Sequence, residues 1–363
     1  MEFYILWLTK VFNFSNIDLT KFISLISPKD AYNATKGDFE NLKLNPILIN
    51  KLLSLPLKDE AKRDFEFCQK EKIKIVDFTS KNYPYNLLNT SYPPPLLYYR
   101  GEILPKDEVS ISIIGSRKYT EYGKLCTKSF AYELASLGIT TVSGMAYGID
   151  SFAHSYTIEK KGRTIAILGS GIDVIYPTEN EKLYYDIIEN GAVISEFPLH
   201  TKPLSKNFPI RNKTVAGISL GTLVIEASKK SGTMITARLA GEAGRNIYAV
   251  PGQIFSESSY GTNLLIKDGA KIVTSVKDII EDIYTEISYN LPAQKQMSLF
   301  NTPNLSGNKK LIYDKISLTP ININKLIEDI NLPVSEINST LTELELSGYI
   351  KALPGKQYVI NVE

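Results

Sequence analysis

The stretch "VSISIIGSRKYTEYGKLCTKSFAYELASLGITTVSG", residues 109–144, decides the fold. Its first seven residues are a short apolar run, rich in β-branched side chains and ending in glycine, which predicts a strand and a tight turn. Residues 122–138 have helical periodicity and a closing glycine. Residues 139–144 again predict a strand. A strand, a helix and a second strand in this order form the βαβ unit of a parallel sheet.

The same alternation continues to about residue 285. Further strands are predicted at "TIAILGSG" (164–171), "GAVISEF" (191–197), "GTLVIEA" (221–227) and "NIYAVPG" (246–252), with helices between them. This pattern implies an α/β fold, a doubly wound and mostly parallel sheet with helices on both faces. Such sheets bind ligands at the carboxyl ends of their strands.

The regions before this alternation have a different character. Residues 1–80 predict an N-terminal small helical domain, whose Lys and Arg residues we interpret as a solvated helix face. A DNA-facing surface is the alternative for those cations. The core domain is expected at residues 81–285, with a proline-rich lead-in. Its three consecutive prolines, Pro93–Pro95, exclude a helix or a central strand at that point.

The regions after it predict a linker and a second domain. Residues 286–306 are polar, contain two prolines and lack periodicity, which indicates a linker. Residues 307–363 predict three helices and a hairpin, the arrangement of a winged helix. Its third helix carries three glutamates and no Lys or Arg. Because a recognition helix normally brings cations to DNA, we expect this domain to contact protein instead.

Composition excludes several classes of protein. The 363 residues carry a net charge of +2, so any anion site must come from local clustering of cations. The two cysteines, Cys68 and Cys126, are far apart and suit a reducing cytosol. Two histidines are too few for a multi-histidine metal centre. The first residues predict no signal peptide, and the chain lacks a long apolar run. We therefore expect a cytoplasmic protein that does not enter a membrane.

The predicted strand ends concentrate groups that bind anions. Gly115 permits a tight turn, Ser116 offers a hydroxyl, and Arg117 offers a forked cation suited to phosphate. Gly144 lies beside a helix expected to start near residue 150. Ser231, Gly232 and Thr233 precede another helix, and exposed amides at such starts bind anions. Together these loops predict a phosphate-binding edge of the sheet.

The stretch "NFPIRNK", residues 207–213, adds a ring and further cations. Pro209 is expected to hold Phe208 in an extended backbone, where an unpaired base can stack on the ring. Lys206, Arg211 and Lys213 can neutralise successive phosphates, and Asn212 can bridge to a phosphate or cap the following helix. The alternative is that Phe208 is a hydrophobic staple and Arg211 pairs with a carboxylate. The residues alone leave these alternatives open.

Familiar catalytic and cofactor motifs are missing. "GSGIDV" has Val174 where a dinucleotide fingerprint needs Gly or Ala, and no GxxxxGK[ST] occurs. Asp150 and His154 are four residues apart on one predicted helix, which indicates a helix-stabilising pair rather than a catalytic triad. We therefore expect no cofactor, no metal and no catalytic residues.

The chain as a whole resembles the DNA-processing protein A family (DprA, also called Smf). The resemblance is carried, in order from about residue 83 to 275, by seven motifs: "IIGSRKYTEYG", "VSGMAYGIDSFAH", "GRTIAILGSGIDVIYP", "GAVISEFP", "NFPIRNKTVAGIS", "VIEASKKSGTMITARLAGEAGRNIYAVPG" and "GTNLLIKDGA". Each motif alone is weak, but seven in order are specific. The N-terminal region fits the family's small helical domain, of the SAM or helix-hairpin-helix kind, only loosely.

The resemblance implies an extended Rossmann-like core that binds single-stranded DNA, protects incoming strands and loads the RecA recombinase. It implies natural transformation and recombination as the setting, a homodimer, single-strand-binding protein as a further partner, and no catalysis. Transferred by motif, the phosphate contacts are Ser116, Arg117, Arg211 and Asn212 with Lys206 or Lys213. Phe208 becomes the base platform, while Gly144 and Ser231–Thr233 line the pocket.

Two other functions remain open from sequence. "GTLVIEA" is loosely similar to a motif of the LOG-like phosphoribohydrolases, with Glu226 as the candidate acid. Leu220 stands where that motif needs glycine to admit a ribose phosphate, which argues against this enzyme. A DNA-sensing regulator or phage-defence module on the same core is the third alternative.

Overall fold

The computed structural model describes residues 1–290, 305–316, 321–330 and 332–360. The chain divides into two compact units, residues 1–291 and 292–363, which are described separately. Within the described residues, no helix has both the length and the apolar character needed to cross a bilayer.

The N-terminal unit begins with six helices that precede its first strand. They are α1 (Glu2–Val11), α2 (Asn16–Ile23), α3 (Pro28–Asn33), α4 (Lys36–Asn41), α5 (Pro46–Leu52) and α6 (Leu55–Lys70). Next come β1 (Lys74–Asp77), α7 (Tyr85–Leu88) and β2 (Leu96–Gly101). Strand β1 pairs with β2, so the sheet already begins before residue 81, where the core domain is predicted to start.

Seven strands alternate with helices through the rest of this unit. The elements are β3 (Ser110–Ile114), α8 (Glu121–Leu137), β4 (Thr140–Ser143), α9 (Ile149–Glu159), β5 (Thr164–Ile167), α10 (Glu181–Asn190), β6 (Gly191–Ser195), α11 (Asn207–Gly217), β7 (Gly221–Val224), α12 (Gly232–Glu242), β8 (Asn246–Ala249), α13 (Tyr260–Lys267), β9 (Lys271–Ile272) and α14 (Val276–Asn290). Every strand predicted between residues 109 and 252 is confirmed.

The nine strands form one sheet in the order β1-β2-β6-β5-β4-β3-β7-β8-β9. All neighbours from β6 to β9 are parallel, whereas β1 and β2 are antiparallel. The predicted doubly wound, mostly parallel sheet is therefore confirmed. The chain builds outward from β3 through β4, β5 and β6, then returns to place β7 on the other side of β3. This reversal creates a crevice at the carboxyl end of β3, where such sheets bind ligands.

Two buried clusters cover the two faces of the sheet. Successive residues of a strand point to opposite faces, so Ala166 belongs to one cluster and Ile165 to the other. The first cluster also contains Trp7 and Leu52 from the N-terminal helices. These helices therefore share a core with the sheet, which explains why residues 1–291 form one compact unit.

The C-terminal unit has the predicted winged-helix arrangement. Its helices are α15 (Gly307–Tyr313), α16 (Ile323–Asp329) and α17 (Val334–Leu346), and its strands are β10 (Ile321–Asn322), β11 (Ile350–Leu353) and β12 (Gln357–Ile360). The strands form an antiparallel sheet in the order β10-β12-β11 over a core that includes Ile312, Leu326 and Leu341.

The linker predicted at residues 286–306 begins later than expected. Residues 286–290 belong to the end of α14, because the apolar periodicity that buries Ile279 and Ile283 carries the helix beyond residue 285. Residues 291–304 of the predicted linker lie outside the described residues.

Candidate nucleic-acid interface

The carboxyl edge of the parallel sheet opens into a cavity of about 820 Å³. Loops that follow β3, β4 and β7 form its walls, together with the first turns of α11 and α12. Ten of the twelve predicted binding residues line it: Gly115, Ser116, Arg117, Gly144, Phe208, Arg211, Asn212, Ser231, Gly232 and Thr233. Lys206 and Lys213 are exposed and do not line the cavity.

The ring of Phe208 lies close to two guanidinium groups. Its centroid is 5.4 Å from the guanidinium carbon of Arg117 and 5.9 Å from that of Arg211, within the range of cation–π attraction. Gly169 allows this position, since a Cβ there would lie 2.8 Å from the ring. The cavity therefore joins two cations and one aromatic face, as the sequence analysis anticipated.

The backbone at Phe208 differs from the prediction. Phe208 and Pro209 lie in the first turn of α11, so the expectation of an extended Phe208 is wrong. A proline is accepted there because first-turn amides have no helical partner to lose. Asn212 lies inside the same helix, so it does not cap it; its side-chain oxygen accepts a 3.1 Å hydrogen bond from Arg211 Nε.

Arg211 is not the exposed cation that the sequence suggests. Its side chain is buried, and Nη1 donates hydrogen bonds to the carbonyl oxygens of Gly144 and Ile167, the latter at 2.8 Å. Gly144 leaves room for it, because a Cβ there would lie 2.0 Å from Nη1. Arg211 thus ties α11 to the ends of β4 and β5, and its removal is expected to disturb the fold.

Charge near Arg211 favours an anionic ligand. Burial lowers the pKa of Arg211; the nearby carboxylate of Asp150 opposes this effect, and Arg117 adds to it. Arg117 itself is exposed at the cavity rim. Because the two guanidinium groups repel each other, an anion bound in the cavity would offset their repulsion.

The start of α12 supplies hydrogen-bond donors to the cavity. Ser231 occupies the N-cap of this helix, and its hydroxyl is buried without a partner among the described residues. Thr233 donates a 3.0 Å hydrogen bond to the carbonyl of Gly115 and so fixes the helix start beside the end of β3. Free amides and an unpaired hydroxyl at a helix N-terminus form a favourable anion site.

His154 takes no part in the cavity. It is fully buried, and its Nδ1 lies 2.6 Å from the hydroxyl of Thr164, so the predicted pairing with Asp150 gives way to this contact. Burial, reinforced by Arg211, lowers the pKa of His154 to about 3. We conclude that His154 is a neutral, buried imidazole with a structural role, because it connects α9 to the Thr164 hydroxyl of β5.

Glu226 has an environment unlike that of a catalytic acid. The side chain is buried, and its carboxylate accepts a 3.0 Å hydrogen bond from the backbone amide of Thr120 and another from the Thr120 hydroxyl. These contacts fix the start of α8 against the end of β7. The arrangement does not favour the LOG-like enzyme, although the prediction that the chain catalyses no reaction stays a prediction.

Sequence reasoning missed several lining residues. Ser256 and Ser258, from the loop after β8, complete one wall. Tyr176, in the loop after β5, does not line this cavity, but its ring lies 5.9 Å from that of Phe208. Both loops follow parallel strands, so the strand-end rule was the available signal. Their chain distance from "NFPIRNK" concealed their proximity to Phe208.

Fold and site together define a class: a doubly wound α/β protein with a cationic, amide-lined cavity at its switch point, followed in the chain by a winged helix. The chain belongs to the DNA recombination-mediator protein A family, whose model matches residues 74–284. A model of the DprA winged helix domain matches residues 300–356. The family resemblance seen in the sequence is therefore confirmed.

Relatives and solved structures agree with this assignment. Protein Smf of Escherichia coli is 37% identical over 291 residues, which cover 77% of this chain and 76% of the relative. The X-ray structure of DprA from Streptococcus pneumoniae has a TM-score of 0.67 at 27% identity and covers 78% of this chain and 98% of its own. A Helicobacter pylori DprA structure, described as showing a single-stranded DNA binding mode, has a TM-score of 0.53 at 31% identity, covering 59% and 97%.

Proposed function

We propose that this protein, a member of a family that processes DNA in recombination, binds single-stranded DNA in the cavity at the sheet edge. It then protects the strand and loads the RecA recombinase onto it, acting as a homodimer in natural transformation and recombination. Ser116, Arg117 and the α12 amides contact phosphate in this proposal, and Phe208 stacks on a base.

The convergence of Arg117, Arg211 and Phe208 in one cavity carries the proposal. Arg117 comes from the loop after β3, whereas Phe208 and Arg211 come from α11, about ninety positions later in the chain. Both guanidinium carbons nevertheless lie within 6 Å of the Phe208 ring. Cations beside an aromatic face are how proteins hold single strands with little sequence preference. The described relative from H. pylori, which binds single-stranded DNA, supports the choice of ligand.

A single strand fits this cavity better than a duplex. In a duplex the bases are stacked on each other and present only their edges, so none is available to lie on Phe208. An unpaired base has both faces free. Arg117 is exposed, so its guanidinium moves from the ring to a phosphate when a base takes its place.

Fluorescence anisotropy with labelled oligothymidylate and with a duplex of equal length tests the proposal at two salt concentrations. We expect preference for the single strand and a log–log salt slope of about −0.7 for each phosphate that a lysine or arginine of the cavity neutralises. Arg117→Ala should lower the slope by about 0.7 and weaken binding about fivefold near 0.1 M salt. Equal affinity for both forms, or an unchanged Arg117→Ala variant, would exclude this cavity as the binding site.

RecA loading needs its own assay. RecA filaments formed on a strand coated with single-strand-binding protein should appear sooner in the presence of the wild-type protein than with Arg117→Ala. Sedimentation across a range of concentrations tests the homodimer. If strand binding is intact but filament formation is not accelerated, the protein binds DNA without mediating recombination through RecA.

A further inference from the structure

A row of rings and lysines runs across the outer surface of α8 and α9. Each helix contributes three side chains at four-residue spacing, which places them on one helical face. We call the set the aromatic–lysine stripe: Tyr119, then Lys124, Lys128 and Tyr132 of α8 with Phe152 and Tyr156 of α9 and Lys160 at the C-cap of α9. None of the seven side chains is buried.

The rings of the stripe form a continuous series. The ring of Tyr119 lies 4.6 Å from that of Phe152, Phe152 lies 5.8 Å from Tyr156 in a stacked arrangement, and Tyr156 lies 6.0 Å from Tyr132. Tyr119 belongs to the loop that follows β3, and its neighbours Lys118 and Thr120 line the cavity. The series therefore starts at the cavity rim and leads away from it.

A lysine accompanies each ring of the series on the helices. Lys124 Nζ lies 5.6 Å from the Phe152 centroid, and Lys128 Nζ lies 5.6 Å from that of Tyr156. Lys160 Nζ lies 4.8 Å from the ring of Tyr132. Cations spaced along a row of rings match the alternation of phosphates and bases in a single strand.

Acidic residues nearby offset only part of this charge, because the lysines outnumber them. The surface around the stripe carries five lysines, Lys118, Lys124, Lys128, Lys160 and Lys161, and three glutamates, Glu121, Glu133 and Glu159. Glu121 lies at 4.0 Å from Lys124, Glu133 accepts a hydrogen bond from Ser129, and Glu159 accepts one from Tyr132.

Helix packing does not require these lysines. Both helices have buried residues outside the stripe, among them Phe130, Ala131 and Leu134 of α8 and Ala153 of α9. Lysines over the half-buried rings at the surface add little to the packing of these apolar residues. A ligand that needs both charge and π-faces accounts for the pattern better.

We propose that the aromatic–lysine stripe binds the continuation of the single nucleic-acid strand whose first bases occupy the cavity. The inference rests on the proposed function, because the strand reaches the stripe from the cavity rim. Phosphates contact Lys124, Lys128 and Lys160, and bases stack on the exposed ring of Tyr119 and on the accessible parts of the half-buried rings. Affinity therefore increases with strand length beyond what the cavity alone accounts for.

The test compares oligothymidylates of about 6 and about 20 nucleotides, lengths that bracket one binding tract. Lys128→Gln/Lys160→Gln should bind the short strand like the wild type. Its affinity for the long strand should fall about 25-fold near 0.1 M salt, since each of the two lost contacts removes a factor of about five, and the salt slope should fall by about 1.4.

A charge-matched control is Lys29→Gln/Lys51→Gln, which removes two exposed lysines from α3 and α5. It should bind both strands like the wild type. Tyr132→Leu keeps an apolar side chain but removes the ring, and should weaken long-strand binding about fivefold or more without changing the salt slope.

The outcomes separate the stripe from the cavity. Unchanged long-strand binding by the Lys128/Lys160 variant would overturn the stripe and leave the cavity intact; the rings would then serve helix packing or an acidic protein. Equal losses in the control pair, or equal losses for short and long strands, would also overturn it. Failure of the wild type to bind the short strand would instead reject the proposed function.

Discussion

The cavity at the sheet edge and the winged-helix unit present opposite charge at the places where their folds usually bind ligands. The cavity brings together Arg117, Arg211 and the amides at the start of α12. The third helix of the winged helix, α17, carries Glu336, Glu343 and Glu345 and no cation. Glu343 is already neutralised by Lys309, 2.8 Å away on α15.

The difference shows that a fold name alone does not locate a nucleic-acid site. A winged helix suggests DNA binding, and a doubly wound sheet suggests a nucleotide, yet the acidic side chains of α17 argue against the first expectation and the cations of the sheet edge refine the second. Phosphate needs cations and free amides, and the loops and helix starts at the sheet edge provide both. Function therefore has to be argued from the side chains.

Arg211→Ala should have the largest effect, because this residue connects the cavity to the core. Removing it leaves two carbonyls without their donor and Asp150 without its nearby cation. We expect a loss of about 3–5 kcal/mol in the free energy of unfolding, measured by urea denaturation. Arg117→Ala, at the exposed rim, should be as stable as the wild type.

Arg211→Lys is the matched control. It retains the charge but not the forked donors, so its stability should lie between those of the wild type and Arg211→Ala. If Arg211→Ala unfolds like the wild type, Arg211 is a surface ligand and the proposed division between buried and exposed arginines is wrong.

Phe208→Ala should weaken single-strand binding by about 1–3 kcal/mol, the contribution of one stacked base. The salt slope should stay nearly unchanged, since no phosphate contact is lost. Phe208→Tyr preserves the ring and should bind nearly as tightly as the wild type. A lower salt slope in Phe208→Ala would mean that the ring acts by positioning the two arginines instead of stacking on a base.

Lowering the pH should reduce the free energy of unfolding through His154, which is buried on α9 beside Thr164 of β5. The folded pKa of this residue, lowered to about 3, lies below its unfolded value near 6.5. Its contribution is therefore complete above pH 6.5 and falls by about 1.4 kcal/mol per pH unit below it. Burial raises the pKa of Asp150 and Glu196. Their contribution to the free energy of unfolding therefore increases as the pH falls, which is opposite to the effect of His154.

His154→Gln isolates the contribution of the imidazole, since the two carboxyls are shared with the wild type. Between pH 6 and 4.5, the free energy of unfolding of the wild type should fall more steeply than that of the variant. Parallel curves would mean that His154 takes up a proton in the folded protein.

Glu343→Gln/Glu345→Gln should have the smallest effect on strand binding. If α17 does not contact DNA, affinity in the full-length protein should change less than about twofold, because exposed charges beyond about 10 Å are screened at 0.1 M salt. A rise in affinity of tenfold or more would mean that α17 lies close to the bound DNA. The sheet-edge cavity and the winged helix would then no longer differ in DNA binding.

Much of the fold was predictable because the decisive signals are local. The strands between residues 109 and 252, the helix that ends before Gly138 and the three helices of the winged helix all follow from periodicity and turn residues. The N-terminal boundary was less accessible. The contact of Trp7 with a core that includes sheet residues, and the pairing of β1 with β2, depend on residues far apart in the chain.

The candidate site was predictable as a set but not in its geometry. The strand-end rule and the family motifs brought ten lining residues together, yet they did not separate exposed Arg117 from buried Arg211. The sequence does not distinguish the two arginines, because the burial of an arginine depends on which carbonyl and carboxylate oxygens the fold places around it. The backbone of Phe208 was misjudged because a local proline rule gave way to the helix of which it is part.

The sequence by itself determined the alternation of strands and helices, the loops rich in Gly, Ser and Arg, and the family, since each depends on residues close together or on motifs in order. The tertiary structure alone decided that Arg211 supports the cavity while Arg117 remains at its rim. It also aligned Tyr119, Phe152, Tyr156 and Tyr132 into one row. Those outcomes depend on the packing of α8, α9 and α11 against the sheet, and packing brings together side chains whose separation in the chain conceals their contact.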